Sequence, residues 1–412
     1  MFRFEHRAVP IAVIAMLIDS IGFGIVLPVL PSLIVSLVHV TIAEASRIGG
    51  YLLAIYALTH FFAGPIIGSL SDRFGRRRVL MASLGCFGLD YALMAVAPTL
   101  AWLFVGRAIA GIAGATYGPA NAVVADVTPP ERRGAAFGLL GAAFGGGFIL
   151  GPAIGGLLAE FGLRAPFVAA ALLAFVNLAL VLALLPETLP PERRRPFEWR
   201  RANAIGAFAP LFRSAGAGAL LAGALVWQIA HMVYPSTWTF FAEIALGWDP
   251  KAVGWSLAAS GLSMMATQIF LIRPAIQRFG EARTVLIGLA SGALVFGCYV
   301  FAREGWQIYT LIALGALTGL VFPLINALLS SRVDVSNQGA LQGGMASLAS
   351  IAAIVGPLTM TQALAFPAER GHAGGAFLLA ALLCCLGFAI FLFGVVRPGQ
   401  KDGHASMVEQ RR

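Results

Sequence analysis

Twelve long runs of apolar residues, separated by short polar segments, make up most of this chain. A helix needs about 20 predominantly apolar residues to cross the hydrocarbon core of a bilayer. Almost no sequence remains outside these runs for a soluble domain. The pattern therefore predicts an all-α membrane protein with twelve transmembrane helices, numbered in chain order, near residues 8–36, 48–70, 79–97, 99–125, 134–160, 165–185, 216–243, 252–275, 283–302, 306–331, 338–365 and 374–396.

The composition and the distribution of charge agree with this prediction. Of the 412 residues, 59% are hydrophobic and 11% are charged, whereas soluble domains carry about 25% charged residues. The net charge of +9 could indicate a nucleic-acid partner, but most of the Lys and Arg residues fall on the same side of the predicted helices as the two termini. Because basic loops remain in the cytoplasm, we expect cytoplasmic termini and no nucleic-acid partner. The run Arg193–Arg195 either contacts anionic lipid head groups or is a solvated part of a loop.

The segment 186–214 interrupts the hydrophobic pattern and is rich in Pro and Arg. It predicts a cytoplasmic linker between an N-terminal six-helix half, residues 1–185, and a C-terminal half, residues 215–396, which a cytoplasmic tail, residues 397–412, follows. Four dipeptides recur at a single offset of 205 residues: Phe74-Gly75 and Phe279-Gly280, Asn121-Ala122 and Asn326-Ala327, Gly134-Ala135 and Gly339-Ala340, and Gly151-Pro152 and Gly356-Pro357. One shared offset indicates an internal duplication, and paired repeats with a site between them are the architecture of secondary transporters.

Three charged residues lie deep inside predicted helices, away from the helix ends: Asp19 in helix 1, Asp90 in helix 3 and Arg107 in helix 4. A charge at mid-membrane costs about 2.5–3.5 kcal/mol on insertion scales, so each is a functional candidate. All three lie at a similar predicted depth, which favours one polar cluster facing an interior cavity. Burial favours the neutral form of a carboxyl and a nearby Arg favours the charged form, so such a carboxyl could carry protons. The alternative is a static pair of one Asp with Arg107 that locks helices together.

The second half lacks this chemistry. The counterparts of the three charged residues at the 205-residue offset are Ala224, Val295 and Ile312. We therefore expect the ionisable groups of the mechanism in the first half.

Further polar or aromatic side chains inside the helices are candidates for the substrate cavity: His60, Gln228, His231, Trp238, Asn326 and Gln342. A lone His inside a membrane is alternatively a hydrogen-bonded packing residue. Trp238 is alternatively an anchor at the membrane interface.

A short, strongly basic turn, Gly68 to Arg78, joins helices 2 and 3. Gly75 supplies a tight turn there. Asp72 lies near a helix end, where a negative charge is unfavourable unless an Arg or the N-terminus of another helix compensates it. We assign five residues to a cytoplasmic gate: Gly68, Asp72, Arg73, Gly75 and Arg76. The alternative is a basic loop that only sets the topology.

Helix 5 contains nine glycines, and seven of them lie largely at spacings of three or four residues: Gly134, Gly138, Gly141, Gly145, Gly147, Gly151 and Gly155. This pattern lets helix backbones approach closely, and Pro152 adds a kink. It predicts tight packing and, together with that, a surface on which the two halves rock during transport. The residues assigned to this interdomain packing are Gly147, Gly151 and Pro152.

The sequence contains no pairing of a nucleophile with a base and no spacing of metal ligands. Its four cysteines fall within apolar runs, without a zinc or disulfide pattern. We therefore expect no enzymatic activity, no cofactor and no bound metal. The first apolar run is too long for a cleavable signal peptide and contains Asp19.

On these residues the chain resembles the drug–proton antiporters of the major facilitator superfamily, and among them the bacterial tetracycline efflux branch. The resemblance covers most of the chain. Its motifs are Leu17-Ile18-Asp19 with Leu27-Pro28-Val29-Leu30-Pro31, Ser71 to Arg78, Leu89-Asp90-Tyr91, Gly106-Arg107 with Gly111 to Thr116, Gly141 to Gly156, and Gln338-Gly339-Ala340-Leu341-Gln342-Gly343. The turn motif is typical of the superfamily, the helix 5 motif of antiporters, and Asp90 with the last motif of the tetracycline-like branch.

The resemblance implies a major facilitator fold with two pseudo-symmetric halves, and a multi-pass protein of the bacterial inner membrane that functions as a monomer. Its partners would be a small amphipathic substrate, protons and membrane lipid. The implied function is export of the substrate in exchange for protons by alternating access. Asp19 and Asp90 would handle substrate or protons, Arg107 would belong to a proton-linked network, and Asp72 and Arg76 to the cytoplasmic gate.

Two departures leave the substrate open. The tetracycline pumps have an intramembrane His in helix 8, near the place where this chain has Met264. They also have an Asp in helix 9, whereas residues 285–300 contain no acid here. The alternatives are export of another hydrophobic compound, proton-coupled import of a metabolite, and a membrane sensor or scaffold that does not transport.

Overall fold

The structure is a computed structural model that describes residues 6–114, 116–197, 218–332 and 338–396. This part of the chain is built almost entirely of helices. The predicted tail, 397–412, and most of the predicted linker, 198–214, lie outside the described residues.

The six predicted helices of the first half are present, two of them in two parts. Helix 1 consists of Ala8–Val26 and Leu30–Val38, helix 2 is Ile42–Phe74, helix 3 is Arg76–Val96, helix 4 consists of Leu100–Ala113 and Tyr117–Val127, helix 5 is Arg133–Leu158, and helix 6 is Ala165–Leu184.

The six predicted helices of the second half follow in the same order. Helix 7 consists of Gly218–His231 and Val233–Leu246, and helix 8 of Pro250–Ala266, a π-helical segment Thr267–Leu271 and Ile272–Phe279. Helix 9 is Glu281–Tyr299, and helix 10 consists of Gly305–Gly315, the 3₁₀ segment Ala316–Leu320 and Val321–Ser330. Helix 11 is Gln338–Ala368, and helix 12 is Gly375–Phe391 with the π-helical segment Leu392–Val396.

Eleven helical stretches among the described residues are long and apolar enough to cross a membrane. The twelfth predicted helix is helix 4, whose first part is shorter than a full span. Together they confirm the prediction of an all-α membrane protein with twelve transmembrane helices.

Helix 2 begins earlier than the hydrophobic pattern predicts, because polar residues cap its first turn. The Glu44 amide donates to Oγ1 of Thr41 over 3.2 Å, and the Thr41 amide donates to Oε2 of Glu44 over 3.2 Å. This reciprocal capping satisfies amides that the first turn of a helix leaves free. The helix therefore extends to Ile42 rather than beginning near residue 48.

Besides the π-helical segments of helices 8 and 12, every third helix of the described chain, namely helices 1, 4, 7 and 10, is interrupted. Helix 1 breaks at Leu27 and helix 7 at Met232, two positions separated by the 205-residue offset of the internal duplication. Helix 4 ends its first part at Ala113, and helix 10 passes through the 3₁₀ segment Ala316–Leu320, which contains the equivalent position. Discontinuous helices at corresponding positions of two halves indicate the binding site of a secondary transporter.

The chain divides into two compact units, Met1–Ala204 with Gly247–Gly261 and Ile205–Leu246 with Leu262–Arg412. The first contains a buried apolar cluster that includes Ala12, Leu84, Val123, Leu140 and Val181. The second contains another that includes Leu220, Trp227, Leu289, Leu324 and Phe391. The start of helix 8, predicted to belong to the second half, groups with the first unit. Its Gly254 lies against the Pro152 carbonyl of helix 5, where a Cβ at position 254 would overlap that oxygen.

Candidate functional site

Asp90 and Arg107 form an ion pair inside the first unit. Nη2 of Arg107 on helix 4 donates to Oδ2 of Asp90 on helix 3, and the side chains are 8% and 0% exposed. The guanidinium also lies 5.9 Å from the centre of the Tyr91 ring. Gly106 permits this approach, since a Cβ there would lie 2.5 Å from Oδ1 of Asp90. The pair links helices 3 and 4 and compensates both charges.

Asp19 has a different partner. Its Oδ2 accepts a hydrogen bond of 2.9 Å from Oγ1 of Thr116, a buried residue at the interruption of helix 4. It makes no ion pair with any residue of the described ranges. The structure therefore pairs Asp90 with Arg107, whereas Asp19 is hydrogen-bonded to a neutral hydroxyl. The three charged side chains do not form one directly connected cluster. Sequence reasoning missed this role of Thr116, for which the available signal was the pair of glycines before it, Gly111 and Gly114.

His60 and Tyr56 of helix 2 lie at the same interruption. Their rings are parallel, with centroids 5.9 Å apart. A Cβ at Gly114 would lie 2.8 Å from the Tyr56 hydroxyl and 3.4 Å from Nδ1 of His60. His60 and Tyr56 therefore lie against Gly114 at the break in helix 4. Thr116, which donates to Asp19, follows two residues later in the chain.

The candidates of the second unit fall into two groups. Oδ1 of Asn326 on helix 10 accepts a hydrogen bond of 3.2 Å from Nε2 of Gln342 on helix 11. On helix 7, His231 stacks on Trp227 with ring centroids 4.8 Å apart. Gln228 is buried, and its Nε2 finds no hydrogen-bond partner in the described part of the chain. The amides and imidazole are polar groups inside apolar helices and can orient a ligand.

Trp238 does not face an open cavity. Its side chain is 2% exposed and lies within an aromatic cluster of the second unit. Its ring centroid is 5.4 Å from that of Tyr299, 5.8 Å from Tyr234 and 6.1 Å from Phe377. Helices 7, 9 and 12 therefore enclose the indole in this structure, and the assignment of Trp238 to the substrate cavity stays a prediction.

The turn between helices 2 and 3 holds a network of charges. Nη1 of Arg76 lies 2.6 Å from Oδ1 of Asp72, and its Nε donates to Oδ2 of Asp126 over 3.2 Å. Oγ1 of Thr188, after helix 6, donates to the same Asp126 oxygen over 3.3 Å. Arg76 therefore joins the end of helix 2 to the end of helix 4, and Asp72 receives the cationic partner that its position requires.

Glu187 caps the N-terminus of helix 3. Its Oε1 accepts a hydrogen bond of 2.8 Å from the Arg76 amide, where the helix dipole favours a carboxylate. Gly75 has φ +101°, a conformation that residues with a Cβ rarely adopt, and a Cβ there would lie 2.7 Å from the carboxyl carbon of Glu187. Glycine is required at this position because it tolerates the positive φ and because a Cβ would overlap the Glu187 carboxylate.

Two residues of the predicted gate lie apart from this network. Gly68 is exposed, with no atom within 4 Å of a Cβ built on it. The guanidinium of Arg73 lies 5.0 Å from the centre of the Phe74 ring. Conversely, sequence reasoning missed three residues of the network: Asp126, Glu187 and Thr188. The one feature of the sequence that pointed to them was their position at the polar ends of helices 4 and 6.

The glycines of helix 5 bring it close to helix 1. A Cβ at Gly147 would lie 2.7 Å from the Leu17 carbonyl, and a Cβ at Gly151 would lie 2.7 Å from Cα of Gly24. Cδ of Pro152 would lie 2.8 Å from a Cβ at Gly24. All these residues belong to the first unit, so this close approach fixes helix 1, which carries Asp19.

No group of three or more His, Cys, Asp or Glu residues within the described ranges could hold a metal ion. The four cysteines are free.

Comparison with known proteins agrees with this architecture. The model of the Major Facilitator Superfamily matches residues 12–357 and 228–410. The tetracycline resistance protein, class C, of Escherichia coli is 40% identical over 366 residues, 89% of this chain and 91% of that protein. The class G protein of Vibrio anguillarum is 37% identical over 363 residues, with coverage of 85% and 89%. The crystal structure of the human organic anion transporter MFSD10 superposes with a TM-score of 0.70 at 24% identity, covering 95% of this chain and 100% of that one.

Proposed function

The chain belongs to the major facilitator superfamily, and we propose that this multi-pass membrane transporter exports a tetracycline-like amphipathic compound in exchange for protons. The observation that carries the proposal is the contrast between its membrane carboxylates. Arg107 compensates Asp90, whereas among the described residues Asp19 accepts only from the hydroxyl of Thr116. The similarity to tetracycline resistance proteins over most of the chain supports the substrate class.

Asp19 carries the exchangeable proton in this mechanism. A carboxylate inside the membrane costs several kcal/mol unless it is paired or neutralised. Asp90 has a guanidinium for this purpose, and Asp19 can instead be neutralised by a proton. The hydroxyl of Thr116 can donate to the ionised carboxylate or accept from the protonated carboxyl. Proton uptake and release at Asp19 can therefore occur without breaking the Asp90–Arg107 pair.

The Asp90–Arg107 pair acts as a positioning element. It ties helix 3 to the first part of helix 4, just before the interruption that leads to Thr116. His60 and Tyr56 lie on the same interruption. We infer that a change in the protonation of Asp19 is transmitted to helix 4 through Thr116, and that helix 4 moves about this break.

Alternating access is the proposed route. In it, two six-helix halves, residues 1–185 and 215–396, move relative to each other, joined by the linker 186–214 and followed by the tail 397–412. Asp72, Arg76 and Asp126 hold the ends of helices 2 and 4 together on the cytoplasmic side, and the network opens as that side opens. Helix 5, with Gly147, Gly151 and Pro152, serves as the surface on which the two halves rock against each other.

The substrate contacts lie on the interrupted helices and their neighbours. Asn326 and Gln342 form an amide pair, and Gln228 has a buried amide nitrogen that can donate to a ligand carbonyl. His60 and His231 complete the proposed set. Met264 at the place of the missing helix 8 histidine makes this part of the cavity more apolar than in the tetracycline pumps. The protein is proposed to work as a monomer in a bacterial inner membrane, with both termini in the cytoplasm.

The experiment is drug accumulation in a bacterium without its own pumps. Wild type, Asp19→Asn, an empty vector and the control Ser20→Ala are compared with and without a protonophore. Ser20 is the neighbouring residue, is buried and carries no charge. We expect energised cells with wild type or Ser20→Ala to accumulate less tetracycline, and Asp19→Asn to resemble the empty vector. Normal export by Asp19→Asn would contradict the role of this carboxyl. Unchanged accumulation with wild type in the membrane would exclude tetracycline, and an inward flux would indicate an importer.

A further inference from the structure

A groove of about 350 Å³ lies on the first unit between helices 2, 3 and 4. Leu70 and Phe74 of helix 2, Ala82 of helix 3 and Ile112 of helix 4 form its apolar walls. Arg78, in the first turn of helix 3, is the charged residue of the lining. Every lining residue belongs to the first unit. The groove therefore combines an apolar channel with a cation at one end.

The apolar walls are open to the surroundings of the helices. The side chains of Phe74 and Ile112 are 43% and 52% exposed. The groove follows helix 3 from Arg78 to Cys86, a distance of about 12 Å at 1.5 Å per residue. It thus runs from the helix 2–helix 3 turn at the membrane surface toward the hydrocarbon core. An empty groove at this depth would forfeit van der Waals contacts along its walls, so an acyl chain is its natural occupant.

Arg78 differs from the two arginines before it in having no protein partner among the residues that the structure describes. Arg76 binds Asp72 and Asp126, and Arg77 donates to the Leu182 carbonyl. Arg78 is exposed and makes no hydrogen bond or ion pair with the described residues. A guanidinium presents a planar fork of donors that matches a phosphate, and a basic residue close to the surface attracts anionic lipid.

We propose that this groove binds one anionic phospholipid, with an acyl chain along the walls and the head-group phosphate on Arg78. The cation selects the lipid and the groove fixes its position. Hydrophobic partition supplies little selectivity within a bilayer, since lipid tails are as apolar as the walls. The preference for an anionic lipid therefore depends on the contact with Arg78. The binding of a single lipid molecule per protein depends on the groove.

The internal duplication supplies matched controls. Arg283 is the counterpart of Arg78 at the 205-residue offset, lies in the first turn of helix 9, and is also exposed without a partner among the described residues. It does not line this groove. Ile287 is in the same way the counterpart of Ala82 and is exposed. Substitutions at these two positions reproduce the change of charge or size away from the groove.

The test is native mass spectrometry of the purified full-length protein, titrated with phosphatidylglycerol and, as the zwitterionic comparison, phosphatidylethanolamine. We expect Arg78→Gln to weaken retention of the first phosphatidylglycerol about fivefold, the effect of one basic residue near an anionic surface. Arg283→Gln should leave that retention unchanged. If both variants lost phosphatidylglycerol equally, retention would depend only on general surface charge, and the proposal would be overturned. Unchanged retention in both variants would overturn it as well.

A second pair of variants tests the groove with the charge intact. Ala82→Phe fills the channel beside Arg78 and should abolish the retained lipid, whereas Ile287→Phe should not. Both positions are exposed, so neither new side chain displaces buried neighbours. Circular dichroism checks that both variants fold. Retention of phosphatidylglycerol by Ala82→Phe would overturn the proposal. So would displacement of bound lipid by tetracycline at the groove, which would indicate a substrate route. This test measures lipid binding and not drug transport, so its result does not depend on whether the proposed transport function is correct.

Discussion

Asp90 and Arg107 compensate each other's charge inside the membrane, so each depends on the other for stability. We expect Arg107→Gln to lower the free energy of unfolding by about 3–5 kcal/mol, since it leaves Asp90 buried without its cation. The double variant Asp90→Asn/Arg107→Gln should recover most of that loss, because a hydrogen-bonded amide pair replaces the two charges. Thermal unfolding of the purified variants measures both values. A double variant as unstable as Arg107→Gln would contradict charge compensation as the role of the pair.

Thr116 is the residue through which helix 4 contacts Asp19. Thr116→Val keeps the shape of the side chain and removes the donor, whereas Thr116→Ser keeps the donor. A hydrogen bond to a charged group is worth about 1.5–3 kcal/mol, so we expect Thr116→Val to lower proton-driven flux in proteoliposomes about tenfold or more. Thr116→Ser should remain close to wild type. Equal flux in the two variants would show that the hydroxyl plays no part in coupling.

At the scale of elements, helix 5 depends on the absence of side chains where it crosses helix 1. A Cβ at Gly151 would meet backbone atoms of Gly24, which cannot move aside. Gly145, on the same helix, has open space around a Cβ. We expect Gly151→Leu to abolish transport and lower the unfolding temperature, and Gly145→Leu to do neither. Transport and thermal unfolding of both variants check this. Survival of transport in Gly151→Leu would contradict the packing role.

The connections between helices 2 and 3 and between helices 8 and 9 use the same backbone conformation with different surroundings. Gly75 has φ +101° with the Glu187 carboxylate beside it, whereas Gly280 has φ +76° with no atom within 4 Å of a Cβ. We expect both Gly→Ala variants to be destabilised by about 1–3 kcal/mol, the usual cost of strained backbone. Gly75→Ala should lose more, because it also displaces the cap of helix 3.

A double-variant series separates these two causes. Glu187→Gln weakens the cap, so its effect on the unfolding temperature should be smaller in the Gly75→Ala background than in wild type. In the Gly280→Ala background it should be unchanged, since no atom lies within 4 Å of a Cβ at Gly280 and the effects of sites that share no contact are additive. The same effect of Glu187→Gln in all three backgrounds would exclude the contact at Gly75.

For the whole molecule, the sequence predicts the helices because each must be long and apolar to cross a bilayer. It predicts the duplication because motifs recur at one offset. Contacts between distant helix ends leave no such pattern, and this is why Asp126 and Glu187 were missed beside Asp72 and Arg76. The surroundings of Trp238 could not be predicted for a related reason. Side chains from helices 9 and 12 enclose it, and hydropathy does not reveal which faces of two helices pack together.

Orientation in the membrane is a property of the whole chain, since the bias of Lys and Arg over all short loops sets it. We expect the turn at Gly75 and the C-terminus in the cytoplasm and the loop at Arg303 on the opposite side. A green fluorescent protein fused to the C-terminus should therefore fluoresce. Alkaline phosphatase, which is active only outside the cytoplasm, should be active when inserted at Arg303 and inactive when inserted after Pro190, in the predicted linker.

The two reporters check each other, because each is active on the side where the other is silent. The reverse pattern would place Asp72, Arg76 and Asp126 on the outer face, where they could not form a cytoplasmic gate. Export driven by protons entering the cell requires Asp19 to receive its proton from outside and release it inside. The topology therefore decides whether the same residues describe an exporter.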